Sequence, residues 1–246
     1  FFYQLSLTIQ KTTSNKTMKN SIITAALILS TAFINAQESY TLKMSVKVEG
    51  LPPEYAAYGE QDITTCVKGD KVKTEVSSMM FSSITYFDGK TYTMLSDAMG
   101  NKTGYSATKE EIDAANKDKK TDKPKIEYTS EKKTVSGYEC TKAIITTLDK
   151  EKKENKTIVW ITDKIKANPN MSGRTGSMDF GDLKGQPLEM EINTSRQGTE
   201  MKVKMTTTEI LTTGLDDSVF KPNTDGYILS SYSEWTEKMK SMGGGK

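Results

Sequence analysis

From Tyr40 to Val48 apolar and polar residues alternate without a break: Tyr40, Leu42, Met44, Val46 and Val48 are separated by Thr41, Lys43, Ser45 and Lys47. A period of two is the mark of a β-strand with one buried face, and here the even positions point inward. Leu188-Glu-Met190-Glu-Ile192 and Met201-Lys-Val203-Lys-Met205 repeat the pattern around a polar stretch containing Gly198, which predicts a hairpin. Further strands are expected over residues 71–76, 83–87, 90–95, 125–130, 139–148 and 157–162, with Lys68-Gly69-Asp70 and Asp88-Gly89 as turns. The count is about ten strands, mostly in meander order.

Helical signals are few. Thr108-Lys-Glu-Glu111 matches a capping box and opens a polar segment to Asn116, after which KDKKTDK up to Pro124 reads as an exposed loop. Pro52-Pro-Glu-Tyr-Ala-Ala-Tyr58 can form a helical turn, since Pro suits a helix start. A last helix over residues 233–242 places Trp235 and Met239 four apart on one face, before a flexible glycine tail.

This inventory leaves much apolar sheet surface and little helix to cover it, so the sheet must curve. The expected fold is mainly β: a curved antiparallel half-barrel with a few short helices on the concave side. Its interior is either packed or an apolar cavity. The candidate lining is Leu42, Met44 and Val46 from the first strand and Ile84, Tyr86 and Met94 from the middle of the chain. Trp160, then Met190, Ile192, Val203 and Met205 from the later strands, complete it. Adaptable methionine side chains fill core gaps and also suit irregular apolar ligands.

Composition narrows the chemistry. With no histidine among 246 residues, Ser-His-Asp triads, Cys-His dyads and histidine-ligated metals are excluded. The 34 basic and 32 acidic side chains are too evenly balanced for a nucleic-acid partner. Residues 18–36 read as a charged start, the apolar run SIITAALILSTAF and small residues ending at Ala36, the pattern of a secretory signal peptide. The run is shorter than the roughly 20 apolar residues that span a bilayer. Residues 1–17 contain no Met and are expected to be non-native upstream sequence, with Met18 as the start. Residues 37–232 then form one domain, and 233–246 the helix and tail. Without residues 1–36 the chain loses Lys11, Lys16 and Lys19, leaving 31 basic against 32 acidic residues. No cysteine near Ala36 offers a lipid acceptor, so a soluble periplasmic or secreted protein without a stable membrane anchor is expected.

Cys66 and Cys140 are the two cysteines. In an oxidising compartment they are disulfide candidates; two separately buried thiols are the alternative. No cofactor or metal is expected. Gly243-Gly-Gly-Lys246 does not lead into a helix as a phosphate-binding loop must. Asp179 and Asp182, or Asp216 and Asp217, lack the spacing of a calcium loop and suit turns and caps. No Ser-Lys spacing supports a nucleophile, so no enzyme activity is expected.

The run Val135-Ser-Gly-Tyr-Glu-Cys140-Thr-Lys-Ala143 and the later Ile158-Val-Trp160-Ile-Thr-Asp-Lys-Ile165 resemble an uncharacterised, exported domain-of-unknown-function family of diderm bacterial envelopes. Lys184-Gly-Gln-Pro-Leu-Glu-Met-Glu-Ile192 fits the same family, as do Asp216-Asp-Ser-Val-Phe220 with Pro222 and Gly226-Tyr227. Upstream, Val67-Lys-Gly-Asp-Lys-Val-Lys-Thr-Glu75 and Phe87-Asp-Gly-Lys-Thr-Tyr92 extend the match over most of residues 60–230. That family is similar to LolA-like periplasmic lipoprotein carriers, in which a half-barrel with a helical lid holds acyl chains. No motif aligns with the carrier's acyl-binding residues. Each motif also has a structural account: Gly137 and Gly185 permit turns, Trp160 fills core, and Pro222 ends a strand.

The resemblance implies a monomeric periplasmic binding or carrier protein for a lipid, acyl chain or acylated protein. The competing expectation is an envelope interaction or stress-sensing module with a packed interior and no ligand.

Overall fold

The computed structural model describes residues 39–52, 55–56, 59–117, 123–148, 152–168, 170, 183–196 and 199–243. The expected leader, the segment before it, and Asp179, Asp182 and Gly198 lie outside the described residues. Residues 39–246 form one compact unit.

Twelve strands form one open, curved sheet: β1 (Ser39–Glu49), β2 (Glu60–Lys68), β3 (Lys71–Ser78), β4 (Phe81–Phe87), β5 (Thr91–Ala98), β6 (Asn101–Thr108), β7 (Lys125–Val135), β8 (Tyr138–Leu148), β9 (Glu154–Thr162), β10 (Gln186–Arg196), β11 (Thr199–Leu211) and β12 (Ile228–Ser230). Their order is β12-β6-β5-β4-β3-β2-β1-β11-β10-β9-β8-β7. Two antiparallel meanders, β1 to β6 and β7 to β11, therefore join where β1 pairs with β11. The hairpin expected around Gly198 is present, with Arg196 opposite Thr199.

Three of the twelve strands, β2, β6 and β12, are absent from the expected ranges, and the last two carry no alternation to find. In β6, Asn101 to Thr108, the strand interior has Gly104 where a large apolar residue would signal burial. The three-residue β12 runs parallel to β6 at the sheet edge. The two are linked: a Cβ on Gly104 would lie 2.5 Å from the Met94 carbonyl oxygen and 3.1 Å from Leu229. Pro222 ends no strand. It follows a 3-10 turn, Asp217–Phe220, that Asp216 caps by accepting from the Ser218 amide at 2.8 Å.

The Thr108 capping box forms as expected. The hydroxyl accepts from the Glu111 amide, the Glu111 carboxylate accepts from the Thr108 amide, and α1 spans Lys109–Asn116. α2 spans Tyr232–Gly243 and sets Tyr232 and Trp235 against Tyr105 of β6, with ring centroids 5.1 and 4.8 Å away.

Residues directly opposite in a ladder share a face, so register sorts the side chains. One row on the inner face runs Tyr40, Val67, Val72, Phe87, Tyr92, Ala107. These residues are all buried; Phe87 and Tyr92 stack at 4.1 Å, and Ile112 of α1 packs against this cluster. Leu42 and Leu188 are completely buried in the same cluster, each contributing about 1.5–3 kcal/mol by leaving water. The segment after β9 latches this end of the sheet. Tyr40 donates its hydroxyl to the Lys166 carbonyl at 3.2 Å, and the Asn168 side chain donates to the Gly69 carbonyl at 2.9 Å.

The outer face carries the interleaved polar residues, paired across strands as Lys43 with Glu209 at 2.6 Å and Lys47 with Glu60 at 3.4 Å. Between β2 and β6 this face is also covered. Lys68 donates to the Leu215 carbonyl at 2.8 Å, Asp217 bridges Lys68 and Lys71, and Leu229 lies beside Gly104.

Candidate functional site

The inner face has two ends of different character. At the latched end the Tyr40 row is sealed. At the other end a second row runs Ile126, Ile145, Thr157, Ile192, Val203, Val48, next to a third of Ala143, Val159, Met190, Met205, Val46. Ile145, Val159, Ile161 and Met190 are buried as a cluster, with Met44, Ile126, Leu183 and Met205 packed against it. Ile126, Val48, Ile192, Val203, Met44 and Met205 are only half-buried. They make an apolar strip across β7, β1, β10 and β11. Among the described buried side-chain nitrogens and oxygens, only the Thr207 hydroxyl, opposite Met44, has no hydrogen-bond partner.

Eight of the eleven expected lining residues share this face. Leu42, Met44, Val46, Met190, Ile192, Val203 and Met205 do so around the β1–β11–β10 junction. Met94 sits farther along the sheet in a row with Leu42, Thr65, Thr74 and Thr85.

Ile84 and Tyr86 are on the outer face: Ile84 lies opposite Glu75 and Leu95, Tyr86 opposite Lys73 and Thr93. In Ser83-Ile-Thr-Tyr-Phe87 the inner positions are Ser83, Thr85 and Phe87, and Ile84 and Tyr86 point outward, where the chain from Leu215 to Leu229 covers that side and makes it a second interior. Burial there pushes the Tyr86 hydroxyl pKa up, with the Lys73 ammonium opposing. Trp160 is also outward, opposite Glu189 and Lys142. The Lys133 ammonium stands 4.3 Å from its ring centroid and 2.5 Å from the buried Glu189 carboxylate, with Lys204 at 4.0 Å. Trp160 therefore sits beside an ion pair while packing against the core, and does not line the strip. Lining residues missing from the sequence expectation are Val48, the last even position of the first alternation, and Ile126, on a strand whose pattern a bulge at 128–132 interrupts.

The disulfide expectation is corrected. Cys66 and Cys140 are free thiols. They lie on β2 and β8, with β1, β11, β10 and β9 between them in the sheet. Five interstrand steps of about 4.8 Å far exceed the roughly 7 Å Cα separation a bridge tolerates. Cys66 accepts from the Thr41 hydroxyl at 3.6 Å, and Cys140 is completely buried, which raises its thiol pKa.

Among the described residues no group of three His, Cys, Asp or Glu side chains could hold a metal ion, and no helix is long and apolar enough to cross a membrane. Asp216 and Asp217 are occupied as cap and ion-pair partner.

No family model and no curated protein matches the chain. Solved structures with a similar course include PNGF-II, at 16% identity and TM-score 0.44, covering 82% of this chain and 33% of that one. This chain thus spans about a third of the PNGF-II chain. An uncharacterised conserved protein of Thermus thermophilus matches at 9% identity and TM-score 0.43, over 85% of this chain and 99% of its own. A domain described as an outer membrane lipoprotein-sorting protein of Vibrio parahaemolyticus matches at 11% identity and TM-score 0.29, over 79% and 95%. At such TM-scores no ligand or partner carries across.

Proposed function

We propose that this chain is an exported, monomeric binding or carrier protein that shelters a lipid or acyl chain against the open end of its inner face and makes or breaks no bond. The observation that carries this reading is the strip of Ile126, Val48, Ile192, Val203, Met44 and Met205, half-buried beside a sealed core. Side chains of this kind gain by covering one another with an apolar partner at about 25 cal/mol per Å² removed from water. An acyl chain needs such a surface and little polar recognition, and flexible Met44 and Met205 suit a ligand of irregular shape.

Native mass spectrometry of protein purified from the envelope is expected to show apolar adducts, and a fluorescent fatty acid is expected to bind and be displaced by unlabelled acyl chains. Val203→Asp, which sets a charge in the strip, should weaken the probe about tenfold or more, since an unpaired carboxylate opposes an apolar ligand. Absence of adducts together with no probe binding would refute the reading. The sealed Tyr40 end favours a second one, a packed interaction module, for which that negative result is the expectation.

A further inference from the structure

Because β1 to β6 form a meander, their turns fall alternately at the two ends of the sheet, and the two sets differ in chemistry. At the latched end the turns are Lys68-Gly69-Asp70 and Asp88-Gly89-Lys90, and Asp88 accepts from the Lys90 and Thr91 amides at 2.9 and 2.7 Å. At the other end, where the apolar strip opens, the β3–β4 turn carries Met79, Met80 and Phe81, and the β5–β6 turn carries Met99. Met79 is 71% and Met99 81% exposed, with Met80 and Phe81 also exposed. Phe81 pairs with Ala98, so the two tips stand side by side.

Three further features fit these tips to a low-dielectric partner. No Asp, Glu, Lys or Arg occurs between Glu75 and Asp88, so no charge on the β3–β4 hairpin has to be desolvated, while at the β5–β6 tip the Asp97 carboxylate is engaged by the Gly100 amide at 2.8 Å. The tip backbone is satisfied internally: Ser78 accepts from the Met80 and Phe81 amides at 3.3 and 3.2 Å and donates to the Phe81 carbonyl at 3.1 Å. Met99 holds φ 53°, a conformation that favours Gly or Asn, so an exposed methionine there has no local structural reason.

We propose that this end of the sheet docks on a lipid bilayer, with Met79, Met80, Phe81 and Met99 entering the boundary between headgroups and acyl chains. The tips supply four exposed apolar residues against the roughly 20–30 residues a side of a specific protein interface, whereas a bilayer accepts small protruding apolar groups without matching their shape. Behind the tips the Lys102 ammonium sits 5.6 Å from the Tyr227 ring, a basic and aromatic pair of the kind that sits at headgroup level. The inference extends the acyl-binding reading by naming where the ligand enters: docking here brings the open strip to the bilayer that supplies or receives the chain.

The test is cosedimentation of the full chain with phosphatidylcholine vesicles, at low salt and at about 0.5 M salt, where charge attraction is screened. The wild type is expected to partition onto vesicles at both, and M79S/F81S/M99N to lose about tenfold or more of that partitioning with an unchanged melting temperature. Should the triple variant fail to fold, Met99→Asn alone, which suits the local backbone, is expected to lose about threefold. Partitioning that needs anionic lipid and vanishes at high salt, undiminished partitioning of the folded variants, or wild type left wholly in the supernatant would each overturn the proposal. Fatty-acid probe binding measured without vesicles separates the two ideas: its absence with vesicle docking intact refutes acyl binding alone, and its presence with no docking refutes docking alone.

Discussion

Single residues decide what this sheet can expose and what it must hide. Cys66 is half-buried and Cys140 wholly so, with its thiol pKa raised by burial. Only the thiolate reacts quickly, so native alkylation at pH 8 is expected to label Cys66 and leave Cys140, while denaturation releases both. Recovery of a single linked peptide under non-reducing conditions would contradict the free thiols. Gly185, at φ 151°, shows a different constraint: a Cβ there would meet the Thr162 carbonyl oxygen at 2.5 Å, so glycine lets the chain enter β10 against β9. That role as a turn was legible in the sequence. The separation of the two cysteines was not, because two positions on strands carry no information about how many strands lie between them.

At the scale of elements, local signals and structure agree where the pattern is self-contained. The capping box at Thr108 needs only four consecutive residues, and α1 follows it to Asn116 as expected. Thr108→Ala removes the acceptor for the Glu111 amide and is expected to cost about 1 kcal/mol, read as a lowered denaturation midpoint with an unchanged slope. The β10–β11 hairpin was equally plain, since both strands alternate strictly. Signals failed where both faces of a strand are covered. In β4 the outward Ile84 and Tyr86 follow the same alternation as an inward set, and only the chain from Leu215 to Leu229 makes that side apolar. β6 was missed because its Gly104 gives up its side chain to let Leu95 and Leu229 approach.

At the scale of the whole molecule, the sealed and open ends of one face carry the functional proposal. A ligand that binds only the folded state raises stability by mass action, by about 2.7 kcal/mol at a hundred times its Kd. Fatty acid at saturating concentration is therefore expected to raise the melting temperature of the wild type and to leave that of Val203→Asp nearly unchanged. An equal rise in both would place the ligand elsewhere.

The sequence by itself determined the mainly β class, the inward set around β1, β10 and β11, the α1 start and the absence of histidine chemistry. Each of these depends on spacing within one short segment or on a count. Tertiary structure alone decided that β1 joins two meanders by pairing with β11, more than 150 residues away. It also turned Ile84, Tyr86 and Trp160 outward, kept Cys66 from Cys140, and set Met79, Met80, Phe81 and Met99 at the end where the apolar strip opens. Alternation states that a strand has two unlike faces; which face meets which neighbour depends on contacts between segments far apart in the chain, and no single segment contains them.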